Sequence, residues 1–347
     1  MNSIINIVLP ISNDFIHYHR EGYFHLIEHL IISKLKKKLL KYDRNFFING
    51  YTVFDHISID IEILNDTFLL DNILYEVKSV FLEKFSTQLD LHVEKNCILD
   101  EIKKNNVNNS IEFNKSIFLE EGIDFLPIGN INIKNINLDD INFLFDKINK
   151  EYCIISFSED NNKVSHMTRD ISKKIIIREE KKLSRIYKVD FLNKNYLIIP
   201  YRKYITSIEQ FIFENVFENI ILKILQKKGI EVYCMTLKSL FDYRYSIIEM
   251  ECISDSFFEC LKKDISGINR RKIKHETFCF KEKIDGILDD YCLSIGAKIS
   301  INRNNMLYDY PFLLDRNVIR EISLLIGAED NIDNILCFIM EEIKNMI

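Results

Sequence analysis

Apolar side chains recur along the chain with two different periods, and the period sets the element expected. Residues 3–9, Ser-Ile-Ile-Asn-Ile-Val-Leu, make an apolar run of strand length. After a polar stretch holding His17 and His19, the residues Phe24, Ile27, Ile31, Leu35 and Leu39 fall at helical spacing and predict a helix over 22–41. Its last two turns carry a basic run from Lys34 to Lys41, which suits the negative end of a helix macrodipole. From Thr52 to Leu64 the isoleucines at 57, 59, 61 and 63 alternate with polar residues and predict a strand. Helices are expected over 68–85 and 90–105. Another follows over 137–150, opened by Asn137 and Asp139, and then a strand from Tyr152 to Phe157.

The charge-dense stretch 173–185 reads as a linker. Beyond it a strand is expected over 195–199, a long helix over 207–228, and strands over 231–237 and 243–253. Helices then fall over 255–264, 280–292, 316–325 and 331–346. A strand leading into a long helix opens both halves. The expected class is therefore α+β, built from two tandem copies of one unit, 1–165 and 180–347. A length of 347 residues fits two domains.

Composition narrows the class further. With 47% hydrophobic and 28% charged residues the chain has ample core, which excludes disordered and collagen-like classes. Nine glycines and four prolines predict few tight loops. A balance of 46 basic against 52 acidic residues, −6 overall, gives no electrostatic footprint for nucleic acid. No 18-residue window is free of charge, so no membrane span is expected. The eight cysteines are scattered without a C-x-x-C pair, and the first residues lack a basic, cleavable leader. Reduced, cytoplasmic thiols that serve core packing are the expectation.

One constellation carries chemistry. His25-Leu26-Ile27-Glu28-His29 lies inside the first predicted helix, where positions i, i+3 and i+4 share a face. Two imidazoles so placed reach one Zn²⁺ at about 2.0–2.1 Å. The carboxylate just before the second histidine then sits beside the metal without binding it, the H-x-x-E-H order known among zinc enzymes. A catalytic zinc takes three protein ligands and keeps one position open. The predicted helix 90–105 offers Glu94 and Glu101, seven residues or about two turns apart and so on one face. Glu101 can supply the third ligand, and Glu94 can hydrogen-bond a ligand histidine. The competing reading is a solvated patch of histidines and glutamates. His17-Tyr18-His19 reads as surface or rim.

These residues sit in a longer resemblance. Gly22-Tyr23-Phe24-His25-Leu26-Ile27-Glu28-His29-Leu30 is similar to the G-x-x-H-F-L-E-H-M segment of the M16 metallopeptidase family. Asn49-Gly50-Tyr51-Thr52 resembles the family's N-A-x-T, which opens an edge strand beside the metal. Glu94 and Glu101 repeat its E-x-x-x-x-x-x-E. Pro127-Ile128-Gly129 and the run from Ile136 to Ile141 resemble the stretch that precedes the last helix and strand of the first half. In the second half Lys228-Gly229-Ile230-Glu231-Val232-Tyr233 resembles the R-G-L-x-Y segment, with one extra residue before Tyr233. The family arginine falls on Leu225, and the turn rich in Gly and Ser that precedes it is missing. Arg244 with Tyr245 is a conceivable substitute, set against a solvent-facing strand as the plainer reading.

The resemblance implies two M16-type domains, each a mostly antiparallel sheet packed with helices, together half of a clamshell of the small M16B type. It implies a zinc endopeptidase with His25, His29 and Glu101 as ligands, Glu28 as general base and Glu94 behind His29. Peptide would bind at Asn49, Gly50, Tyr51, Thr52 and Tyr233. The intact metal motif and missing arginine imply a heterodimer with a related subunit, a homodimer being the second option. The substrate class implied is short unfolded peptide, such as the leader of a bacterial ribosomally made peptide. A non-catalytic peptide-binding or scaffold subunit is the rival reading, and a zinc hydrolase with another substrate a third.

Overall fold

A computed structural model describes residues 2–42, 46–64, 70–104, 107–118, 123–158, 163–168, 185–202, 208–240, 243–251, 253–289 and 316–347. They divide into two compact units, one holding the described residues up to Thr168 and the other those from Arg185 onward. The expected linker at 173–185 lies, but for Arg185, outside the described residues.

The first unit is a five-stranded antiparallel sheet covered by helices. Strand β1 (Asn2–Pro10) lies at its centre. It pairs on one side with β3 (His56–Leu64) and on the other with β4 (Cys153–Ser158). Strand β2 (Phe46–Thr52) lies outside β3, and β5 (Lys163–Thr168) outside β4. The register places Ile5, Ile7 and Leu9 opposite Ile61, Ile59 and Ile57, so one face is a continuous isoleucine and leucine surface, fully buried.

Helix α1 (Ile16–Glu21) leads into α2 (Tyr23–Leu39), and the apolar stripe read from the sequence is what α2 buries. Phe24, Ile27, Ile31 and Leu35 are completely inaccessible, each worth roughly 1.5–3 kcal/mol of burial. Around α2 pack α3 (Leu70–Leu82), α4 (Gln88–Lys104) and α6 (Leu138–Ile148), with α5 (Val107–Ile117) following α4 in the chain. Asn137 caps α6, its side-chain oxygen accepting the Asp140 N–H at 2.8 Å.

The second unit has a four-stranded antiparallel sheet of β6 (Tyr187–Phe191), β7 (Lys194–Arg202), β8 (Val232–Leu240) and β9 (Tyr243–Met250), in the order β6-β7-β9-β8. Its helices are α7 (Ile208–Lys227), α8 (Asp255–Ser266), α9 (Arg270–Asp289), α10 (Arg316–Gly327) and α11 (Glu329–Met346). The order β7-α7-β8-β9-α8-α9 repeats β1-α2-β2-β3-α3-α4. In both units the strand before the long helix is interior and the one after it is the last strand of its sheet. The α+β class is therefore correct.

Several expectations are corrected. The strand read from Thr52 to Leu64 is the second arm of a hairpin. β2 ends at Thr52, and Val53 to Asp55 form the turn. α5, β5 and β6 escape the sequence reading, and α9 begins ten residues earlier than expected. Cys153 is buried, but Cys97, Cys234, Cys260 and Cys337 are exposed, so core packing does not describe them. His19 is neither surface nor rim but fully buried in α1. Among the described residues no helix is long and apolar enough to cross a membrane.

Candidate metal centre

Helix α2 opens on Gly22, whose φ of +91° is the left-handed region that favours glycine. From that start the helical repeat brings His25, Glu28 and His29 to one face, each offering a ligand atom within 4.8 Å of the others. The two imidazoles stand edge to face, with ring centres 4.7 Å apart. His25 and Glu28 are buried and His29 nearly so, which removes the solvated-patch reading.

The outer nitrogen of each ring is already committed. His25 Nδ1 lies 3.3 Å from the carbonyl of Ile128, and a carbonyl only accepts, so Nδ1 carries the proton. His29 Nδ1–H donates to Glu94 Oε2 at 3.2 Å. Both Nε2 lone pairs therefore turn the other way, toward α4. There they face the two oxygens of Glu101, one at 3.5 Å from His25 Nε2 and the other at 3.6 Å from His29 Nε2.

Those separations test the metal. Ligand atoms around a tetrahedral zinc at 2.0–2.2 Å stand about 3.3–3.6 Å from one another, the spacing found here. They are long for hydrogen bonds between nitrogen and carboxylate, and they leave room for a cation among the three groups. Burial and the neighbouring His29 lower the His25 pKa to about 4, so its Nε2 is a bare lone pair at neutral pH. For His29 burial opposes protonation, but the bond to Glu94 and the nearby Glu28 and Glu101 outweigh it and raise its pKa. The residues fit a zinc ion held by His25, His29 and Glu101, with the Ile128 carbonyl and Glu94 fixing the imidazoles.

Glu28 stands beside this group in a different setting. Burial pushes its carboxyl up to about 7, against the opposing effect of a 2.6 Å hydrogen bond donated by Thr52 Oγ1 to Oε2. A β-carbon on Gly50 would stand 2.9 Å from Glu28 Oε1, so the glycine makes room for the carboxylate. Strand alternation divides the expected peptide-binding set. Gly50 and the Thr52 side chain face α2, while the side chains of Asn49 and Tyr51 alternate to the opposite face of the sheet, although Asn49 still lines the cavity beside α2. A cavity of about 310 Å³ lies between α2, β2 and α4, with the metal residues at one end and Ile32, Ile48 and Lys36 along it.

In the second unit Tyr233 lies on β8 and is 56% exposed, and Leu225 is buried in α7. Arg244 is not on a solvent-facing strand. It is 2% exposed and ion-paired with Glu214 of α7, which also accepts from Gln210 at 3.0 Å. Tyr245 beside it is buried as well. The sequence gives Lys36 only as part of the basic run that ends α2, and assigns no role at the site to it or to the Ile128 carbonyl. The only signal for the carbonyl was the Pro127-Ile128-Gly129 match, which did not say what the segment does.

Neither a protein-family model nor a curated protein sequence matches the chain. Solved structures do. The periplasmic protease PqqL from Escherichia coli superposes with a TM-score of 0.64 at 10% identity, over 99% of this chain and 44% of that one. The chain has the fold of the M16 peptidases. A peptidase M16 inactive domain from Pseudomonas fluorescens gives a TM-score of 0.61 at 12% identity, over 98% of this chain and 89% of that one. Pitrilysin gives 0.53 at 12% identity, over 94% and 41%. The chain thus spans less than half the length of PqqL and of pitrilysin and nearly the whole of the Pseudomonas domain. Within the M16 fold, chemistry follows from the residues at the site rather than from the fold itself.

Proposed function

We propose that this chain is a zinc-dependent endopeptidase of the small M16B type, acting on short unfolded peptides as the catalytic subunit of a dimer. The observation that carries the reading is the convergence of His25 Nε2 and His29 Nε2 on the two oxygens of Glu101, with Glu28 alongside. Bound there, zinc would supply Lewis-acid polarisation of the scissile carbonyl and make water acidic enough to attack near neutral pH. Glu28 is held through Oε2 by Thr52, which leaves Oε1 to take a proton from the attacking water and return it to the leaving amine. A carboxyl near 7 is matched to that exchange. Strand β2, last in its sheet among the described residues, supports recognition of an extended peptide through its backbone, which suits unfolded substrates such as leader peptides.

The partner belongs to the same proposal. Arg244, the residue nearest to a substitute for the missing family arginine, is engaged by Glu214 inside its own unit. That supports a related M16-like subunit as the source of a second-half cation, with a homodimer as the second arrangement. Scattered cysteines without paired spacing support a cytoplasmic setting. The fold match to an inactive M16 domain of similar length favours one other reading, a non-catalytic peptide-binding subunit. Metal analysis and peptide cleavage, alone and with a related subunit, decide between them. Zinc at one per chain with cleavage abolished in Glu28→Gln supports the enzyme. Zinc without cleavage under any pairing supports the scaffold.

A further inference from the structure

The basic run that closes α2 is not uniform. Lys34 and Lys38 pair with Glu83, at 3.2 and 2.7 Å, Lys37 pairs with Asp90 at 2.6 Å, and Lys41 pairs with Glu76. All four turn to acidic groups on or beside α3 and α4. Lys36 makes no ion pair among the described residues, is exposed, and lines the cavity that holds the metal residues. It stands seven residues after His29, on the same helical face, with Ile32 and Ser33 between them. The cavity therefore has acidic groups and histidines at one end, apolar Ile32 and Ile48 in its middle, and one uncommitted cation at the other end.

The spacing converts into peptide residues. Seven helical residues span about 10 Å. An extended peptide covers that distance in about three residues. Direction follows from β2. Its Thr52 end lies at Glu28, and its Ile48 end lines the cavity with Ile32 and Lys36. Every pairing in this sheet is antiparallel, and a peptide added to β2 in the same sense runs from the Glu28 end toward Lys36. β2 continues to Phe46, which leaves edge for the peptide to extend further. We infer that Lys36 is a specificity-determining residue that recognises an acidic side chain about three residues to the C-terminal side of the scissile bond. This rests on the peptidase reading above.

The test is a binding measurement on the full chain carrying Glu28→Gln and loaded with zinc. The probes are fluorescent unstructured peptides in which Glu, Gln or Lys is moved through successive positions. With Lys36 present, Glu at one position should tighten binding roughly two- to five-fold over Gln, the range of an exposed ion pair, and salt should erode the gain. Lys36→Glu should reverse the preference in favour of the Lys peptide. Lys37→Glu, the same charge change on the residue that faces Asp90, should leave it as it was. Mass spectrometry of wild-type cleavage products should place the acid about three residues past the cut. A peptide preference that Lys36→Glu leaves unchanged overturns this role while leaving the peptidase standing. A gain that follows a free C-terminal carboxylate, and disappears on amidation, overturns the internal acidic side chain. Failure to bind any peptide overturns both.

Discussion

Gly22 and Gly129 meet backbone to backbone. A β-carbon on Gly22 would stand 2.9 Å from the Cα of Gly129, and both residues have positive φ, +91° and +86°. The contact sets the segment 127–129 against the start of α2 and brings the Ile128 carbonyl to His25 Nδ1. Two glycines far apart in sequence thus decide which nitrogen of His25 faces Glu101.

Gly129→Ala should therefore damage fold and site together. Left-handed strain of about 1–2 kcal/mol adds to a clash with backbone that cannot move aside. Unfolding should show a loss of about 2–4 kcal/mol, and zinc competition a loss of affinity of about ten-fold or more. Gly286→Ala, where a β-carbon meets nothing within 4 Å, is the control and should be neutral or stabilising by about 0.5–1 kcal/mol.

Glu94 and Glu101 sit on one face of α4 but do different work, and their amide variants should separate. Glu101→Gln removes the proposed third ligand and should abolish zinc retention during dialysis against a mild chelator. Glu94→Gln leaves all three proposed ligands and weakens the hold on His29, so affinity should fall only about 10–100-fold. Equal losses in the two variants would contradict the assignment.

Acid should unsettle the first unit through His19. Its Nε2–H donates to the Val53 carbonyl at 3.0 Å, yet burial dominates and lowers its pKa from 6.5 to about 4. Between those values the unfolded chain binds a proton that the folded chain refuses. Stability then falls as pH drops through the window, by about 3 kcal/mol at its lower end. Urea unfolding at about pH 7 and about pH 4.5 should show this loss, and His19→Gln should flatten it.

In the second unit Arg244→Met should cost about 3–5 kcal/mol, because it strands the buried Glu214 without its counter-charge. Burial and the adjacent Glu214 already push Glu218 up to about 7, so a second carboxyl there gives no relief. The double variant Glu214→Gln with Arg244→Met should recover most of the loss in urea titrations.

The candidate metal residues were legible in the sequence because each set is local. The helical repeat alone aligns His25 with Glu28 and His29, and again Glu94 with Glu101. What escaped depends on partners distant in the chain or on turns without their usual residues. Arg244 alternates as a solvent-facing residue would, and the inward Glu214 that pairs with it lies thirty positions away. The β2–β3 hairpin turns at Val53-Phe54-Asp55 with neither glycine nor proline, so the run from Thr52 reads as one strand. β6 and β7 join through Leu192 and Asn193 at positive φ, a conformation that glycine usually advertises and leucine conceals. α5 begins Val-Asn-Asn-Ser, a composition that suggests loop, and the first turns of α9 are too basic to show an apolar stripe.

A strand that is last in its sheet among the described residues, and proposed to take an extended peptide, does not distinguish a substrate from a neighbour. β2 reads Phe-Phe-Ile-Asn-Gly-Tyr-Thr, without a proline or a charge between its ends, and Phe47 is exposed on it. Proteins usually blunt such strands with lysine, proline or a bulge, because a bare edge seeds edge-to-edge aggregation. Here those safeguards would obstruct the groove. If β2 takes a peptide as proposed, colloidal stability is tied to occupancy: a concentrated preparation with the groove filled should stay clear longer than an empty one, the peptide acting as a shield as well as a cargo.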